Sequence, residues 1–130
     1  MRVLVDSSVW IDYFKSGANS SVMDYLLEEN LVVINEIILA ELVPFLKIKK
    51  QKKIIRLLNA IEKMPLKIKW DEIILFQVDC LRAGVNGIGI PDLLIAQNGK
   101  QNECKVYSLD KYFRFMKQTI QIDLLEIAVD

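Results

Sequence analysis

The sequence predicts an α/β fold, a central parallel sheet of about five strands with helices on both faces. Three observations lead there. Short apolar runs rich in Val, Ile and Leu recur from the first residues to the last. Segments of helical periodicity separate them, and parallel strands require such crossovers. The 130 residues are 52% hydrophobic and 26% charged, which fits one globular domain spanning residues 1–130.

The elements follow in order. Arg2 to Asp6 is Val-rich, bounded by Ser7-Ser8, and reads as a buried strand. Ser8 to Phe14 reads as a helix, broken by Lys15-Ser16-Gly17-Ala18-Asn19. Ser20 or Ser21 can cap a second helix through Glu29. Leu31 to Ile34 is a second strand, and Asn35 is a favourable N-cap for the helix that follows. Pro44 lies within that helix and should kink or end it, because its ring clashes with the Ala40 carbonyl. A helix from about Lys50 to Lys63 carries Ile54, Ile55, Leu58 and Ile61 on one face. Leu66 to Lys69 is a third strand candidate. Trp70 to Ala83 is helical, with Ile73, Leu75, Phe76, Val78 and Leu81 supplying apolar surface. Gly84, Gly87 and Gly89 mark a loop, and Pro91 suits the first turn of a helix that stops near Gly99. Lys105 to Leu109 is a fourth strand, Asp110 caps a helix through Lys117, and Ile122 to Ile127 is a final strand candidate.

Composition excludes several function classes. The chain has no His, so no His general base and no His-ligated zinc site can operate. Cys80 and Cys104 suit free thiols in a reducing compartment better than a disulfide framework. No apolar run approaches the ~18 residues needed to span a bilayer, and Asp6 comes too early for a signal peptide. A cytoplasmic protein without membrane contact is expected. Lys+Arg equals Asp+Glu at 17 each, yet Lys47, Lys49, Lys50, Lys52, Lys53 and Arg56 form a basic block with no acid between Glu41 and Glu62. That block is either a solvated helix face or a patch for nucleic-acid phosphates, with Lys49, Lys50 and Lys53 as RNA contacts.

Glu41 is the most unusual acid. It sits four residues after Ile37 and four before Phe45, with no Lys or Arg within five residues on either side. A carboxylate buried in such surroundings needs a partner. In a parallel sheet, the carboxyl ends of the strands gather at one edge, where ligands bind. Asp6 and Asp110 end strands there, and Glu41 and Asp92 lie on helices that start nearby. Singly, Asp6 and Asp110 could be N-caps and Asp92 a first-turn acid favoured by the helix dipole. Together, four carboxylates repel unless a cation neutralises them, and oxygen-only ligands suit Mg²⁺ or Mn²⁺.

These segments also resemble a known family. Val5-Asp6-Ser7-Ser8-Val9-Trp10-Ile11-Asp12, then Glu41 about 35 residues later, Pro91-Asp92-Leu93-Leu94-Ile95-Ala96, and Tyr107-Ser108-Leu109-Asp110-Lys111-Tyr112-Phe113 are similar to the signature blocks of PIN domains. The likeness is greatest to the VapC-type ribonuclease toxins of prokaryotic toxin–antitoxin pairs. The resemblance implies a PIN-like three-layer sandwich and a metal site of Asp6, Glu41, Asp92 and Asp110, supported by Ser8 and Ser108. It further implies a homodimer and a VapB-like antitoxin that inserts a segment into the active-site groove. The chain departs from the pattern at Gln97-Asn98, where small residues are common, and at Tyr112, where some members carry an acid.

The reaction expected is metal-assisted hydrolysis of an RNA phosphodiester, with Asp6 and Asp92 as direct ligands and Glu41 and Asp110 holding a ligand water or second ion. Attack by water leaves a 5′-phosphate and a 3′-hydroxyl. Tyr13, Phe14 and Tyr112 are candidates for base stacking. Trp10, Ile11 and Phe14 form either core or part of an antitoxin groove. Ser8 stands where a haloacid-dehalogenase phosphatase needs a second Asp and a proofreading exonuclease a Glu. The rival from another class is a non-catalytic RNA-binding or protein-interaction module on the same fold.

Overall fold

A computed structural model describes residues 1–127. Four parallel strands form one sheet in the order β3-β2-β1-β4. They are β1 (Val3–Val5), β2 (Val32–Ile34), β3 (Glu62–Lys63) and β4 (Lys105–Tyr107). Around them lie α1 (Ser7–Phe14), α2 (Ser20–Glu28), α3 (Glu36–Ile48), α4 (Lys52–Ala60), α5 (Trp70–Arg82), α6 (Ile90–Gln101) and α7 (Lys111–Thr119). Strand β1 is central. Val3 and Leu4 pair with Val32 and Val33 on one side, and Val3, Leu4 and Val5 with Lys105, Val106 and Tyr107 on the other. Its three residues are fully buried, as are all of β2, which is why both read as unbroken apolar runs rather than alternating ones.

The fifth strand is reduced to a single parallel bridge between Val106 and Leu124, made by Val106 N–H to the Asp123 carbonyl and Leu125 N–H to the Val106 carbonyl. Strand β3 forms earlier than Leu66–Lys69. It pairs Glu62 and Lys63 with Val33 and Ile34, and its ladder cannot run on because Pro65 lacks an N–H. Residues 66–69 instead connect β3 to α5.

Asn35 caps α3, its Oδ1 accepting from Ile38 N–H at 2.9 Å. Pro44 does not end α3, which continues to Ile48. Both Pro44 and Ala40 lie on the exposed side, so water can satisfy the carbonyl that loses its partner. Asn19, rather than Ser20 or Ser21, occupies the N-cap position of α2, without a side-chain cap bond. Helix α5 buries Ile73, Phe76 and Cys80 but leaves Leu75 and Leu81 outside. In α1 the aromatic face divides: Trp10 is in the core, Phe14 is half-buried and Ile11 is exposed. Cys80 and Cys104 are buried free thiols. Among the described residues, no helix is long and apolar enough to cross a membrane.

Candidate metal centre

Asp6 follows β1 directly and begins α1. It occupies the N-cap position, yet its carboxylate makes no capping bond, although it is only 4% exposed. Its oxygen is engaged differently. Ser8 Oγ donates to Asp6 Oδ2 at 2.8 Å and Ser108 Oγ donates to the same atom at 2.9 Å. The two hydroxyls in turn accept from the backbone: Leu109 N–H reaches Ser8 Oγ at 3.1 Å, and Asp110 N–H reaches Ser108 Oγ at 3.0 Å. Both hydroxyls act on Oδ2, which leaves Oδ1 as the oxygen available to a ligand. The segment after β4 is thereby fastened to the start of α1, across the strand pair that brings them together.

Asp110 does act as a cap, its Oδ1 accepting from Tyr112 N–H at 3.0 Å. Asp92 lies in the first turn of α6 behind Pro91 and is half-buried. Glu41 differs from the sequence expectation. Of the Ile37–Glu41–Phe45 ridge only Ile37 packs against the core: Glu41 is exposed and Phe45 is 61% exposed, while Ile38, Leu39, Leu42 and Leu46 carry the packing. Helix α3 is apolar over most of its circumference, and the charged ridge faces a groove.

Electrostatics couple the four acids. Asp92 is raised to about 6, first by burial, then by the charges of Asp6 and Asp110. Glu41 is raised by lost solvation at its carboxyl end and by the charges of Asp6 and Asp92, with the Ser7 hydroxyl opposing the rise. Ser7 had no separate signal in the sequence beyond its place between Asp6 and Ser8. Among the described residues, no three His, Cys, Asp or Glu side chains already stand close enough to enclose a metal ion. The donor chemistry nevertheless fits a hard divalent cation. All donors are oxygens, one is buried and oriented by two hydroxyls, and burial together with mutual repulsion penalises the charged form of Asp92 and Glu41, a penalty that a bound cation would relieve.

The rise at Asp92, from burial first and repulsion second, has a measurable sign. A carboxyl whose pKa is raised on folding binds more protons in the native state than in the unfolded state, between its ordinary range and about 6. Stability therefore falls as pH rises through that window. In EDTA, the Tm should drop between pH 4.5 and pH 6.5, and Asp92→Asn should flatten the slope. Mn²⁺, which binds the ionised acids, should oppose the drop. A wild-type slope equal to that of Asp92→Asn would overturn the raised pKa of Asp92.

Other candidates separate. Tyr13 is engaged by Asp24, its hydroxyl donating at 2.6 Å. Tyr112 lies against the loop before α6, where a Cβ added to Gly87 would come within 3.2 Å of its hydroxyl. Gly87 has φ +127°, a conformation that favours glycine on its own account. Lys49, Lys50 and Lys53 are exposed. Only Lys49 of these three lines the groove that starts at Glu41, together with Ile11, Phe14 and Phe45.

Comparison with known proteins agrees with this architecture. No curated protein sequence matches the chain. By structure, it is similar to the VapBC2 complex of Rickettsia felis bound to a DNA fragment from its promoter, with a TM-score of 0.76 and 20% identity, covering 98% of this chain and 100% of that one. It is also similar to FitAcB of Neisseria gonorrhoeae, with a TM-score of 0.68 and 19% identity over 95% and 96% of the two chains. A family model described as the PIN domain matches residues 3–117. With nearly the whole sheet and all four acids inside that match, the chain belongs to the PIN domain family.

Proposed function

We propose that this chain is a Mg²⁺- or Mn²⁺-dependent endoribonuclease, the toxin of a type II toxin–antitoxin module, acting in the cytoplasm as a single domain over residues 1–130. The observation that carries the reading is Asp6. It is a buried carboxylate held by two hydroxyls, with no Lys or Arg paired to it among the described residues, and its charge raises both Glu41 and Asp92. A buried carboxylate without a paired cation is costly.

Asp6, Glu41, Asp92 and Asp110 would hold the metal. When bound, it would supply an activated water and neutralise charge on the phosphoryl oxygens. The chain's own residues do the rest. Ser8 and Ser108 fix the Asp6 carboxylate by hydrogen bonds to Oδ2. Asp110, tied to the Tyr112 N–H, presents its second oxygen. Asp92, raised to about 6 in the metal-free chain by burial and by the charges of Asp6 and Asp110, would be ionised once it holds the cation. Lys49, Lys50 and Lys53 would meet the RNA backbone.

Both structural neighbours are complexes by name, VapBC2 and FitAcB, which supports a VapB-like antitoxin as partner here. Pairing with a second copy would fall to α5. Trp70, Ile74, Val78 and Leu81 fall on one side of that helix at helical spacing, joined by Ile90, and all line a shallow apolar surface. Ile74 is 60% exposed. Antiparallel packing of two α5 helices about a two-fold axis would set Asp71 of each copy against Arg82 of the other. Ile74→Glu should convert a dimer to a monomer in light scattering, and an unchanged mass would overturn this interface.

The test of the main reading is incubation of total RNA with antitoxin-free protein in Mn²⁺ or Mg²⁺. Discrete fragments ending in 5′-phosphate and 3′-hydroxyl are expected, and EDTA should abolish them. Products ending in 2′,3′-cyclic phosphate would overturn the mechanism. Protein that is folded yet neither binds Mn²⁺ by calorimetry nor cuts would return the chain to the binding-module class.

A further inference from the structure

We propose that Phe45 is a nucleobase-stacking platform and Lys49 the adjoining phosphate contact, forming a subsite for single-stranded RNA beside the metal centre. This rests on the ribonuclease reading and extends it to the path of the substrate. Three observations on α3 carry it.

The first is exposure. Phe45 is among the most exposed large apolar side chains of the chain at 61%, and its ring is not used by the core, which takes Leu42 and Leu46 from the same turn. The second is order along the helix. Glu41, Phe45 and Lys49 follow at intervals of four residues, a rise of about 6 Å per step, and all three line one groove of about 440 Å³. A metal-site carboxylate, an aromatic plate and a cation thus stand in a row. Ile11 and Phe14 of α1 and Ile54 of α4 also line it. The third is charge. The Lys49 ammonium lies over the Phe45 ring, 5.7 Å from its centroid, and Lys15 stands at the same groove. Beyond Lys49 the chain continues into Lys50, Lys52 and Lys53 with no acid until Glu62.

A single-stranded polyanion with flat apolar bases meets each of these features in turn. Its scissile phosphate lies at the acids, the next base against Phe45, and the following phosphate at Lys49. Stacking of this kind tolerates any base, because every base presents a π face. Sequence preference would then have to come from elsewhere in the groove. Apolar walls alone would equally suit a peptide, but the increasing positive charge away from Glu41 favours a phosphate backbone.

The experiment measures fluorescence anisotropy of a short labelled oligoadenylate in EDTA at low salt, where cutting cannot occur. Phe45→Leu keeps an apolar, exposed side chain, and should weaken binding about tenfold. Phe45→Trp should bind at least as well as wild type. Lys49→Ala should reduce the slope of log affinity against log salt by a little under one. An abasic oligomer of equal charge should bind wild type and Phe45→Leu alike. Cleavage of total RNA in Mn²⁺ is measured in parallel. If wild type cleaves while Phe45→Leu binds oligoadenylate as tightly as wild type, the subsite is overturned and the ribonuclease reading stands. If Phe45→Leu loses binding of a protein partner but not of RNA, the groove is a peptide site and the proposal fails. Wild type that neither binds nor cuts RNA overturns both.

Discussion

Replacing Asp6 with Asn should lower metal-dependent RNA cleavage by about a thousandfold, the equivalent of the several kcal/mol a bound divalent cation contributes to stabilising transition-state charge. The substitution keeps the shape of the side chain and an oxygen that can accept from Ser8 and Ser108. What it removes is the negative charge, so the fold should survive. Indeed, relief of repulsion should raise the stability of the metal-free protein near neutral pH, because Asp92 and Glu41 are both pushed up by Asp6. Stability and activity should therefore move in opposite directions, which a general folding defect cannot produce. Ser8→Ala and Ser108→Ala test the orientation of the same carboxylate, and each should cost about 10–100-fold in activity or Mn²⁺ affinity, the range for groups that aim a ligand. Asp6→Asn that retains a tenth of wild-type cleavage would overturn the assignment of Asp6 as a ligand.

What was legible in the sequence was local. Asn35 as a cap, Asp110 as a cap, the buried runs of β1 and β2 and the Pro91 start of α6 depend on a few adjacent residues, and each stands where the sequence puts it. What was not legible depended on pairing between distant segments. Strand β3 exists only because Ile34 and Val33 offer an edge to Glu62 and Lys63, two charged residues with no strand signature of their own. The last strand candidate had suitable residues but found only one bridge. Glu41 was singled out for a burial it does not have. The sequence carries apolar residues around most of α3, and periodicity cannot say which ridge faces the core when nearly every ridge is apolar. Phe45 was hidden by the same ambiguity, since an exposed phenylalanine and a core phenylalanine look alike in a chain.

The second large effect concerns residues that the sequence marked only as a departure from the family pattern. Asn98→Leu should lower the Tm by roughly 10 °C, because it strands the buried Asn35 amide and takes a donor from the part-buried Pro65 carbonyl, at about 1–3 kcal/mol each. Asn98 and Asn35 are 2% and 0% exposed. Asn35 Nδ2 donates to Asn98 Oδ1 at 2.9 Å, and Asn98 Nδ2 donates to the Pro65 carbonyl at 2.9 Å. With Ile38 N–H on Asn35 Oδ1, a continuous amide relay joins the start of α3, the middle of α6 and the connection after β3. The adjacent Gln97 makes a second clamp, accepting from Lys69 N–H and donating to the Lys69 carbonyl and to Glu72. Small residues at these positions would leave those groups to other partners, so this chain has built a polar tie where apolar packing would serve. The tie has a consequence at the metal centre. Glu41 lies six residues after Asn35, and Asp92 six residues before Asn98, so the relay fixes the two helices that carry those acids. Asn98→Leu should accordingly weaken Mn²⁺ binding even well below its Tm, whereas Asn102→Ala, which removes only a side-chain bond from the C-cap of α6 to the Asn98 carbonyl, should not. Equal Mn²⁺ affinity in Asn98→Leu and wild type at a temperature where both are folded would confine the relay to stability and detach it from the site.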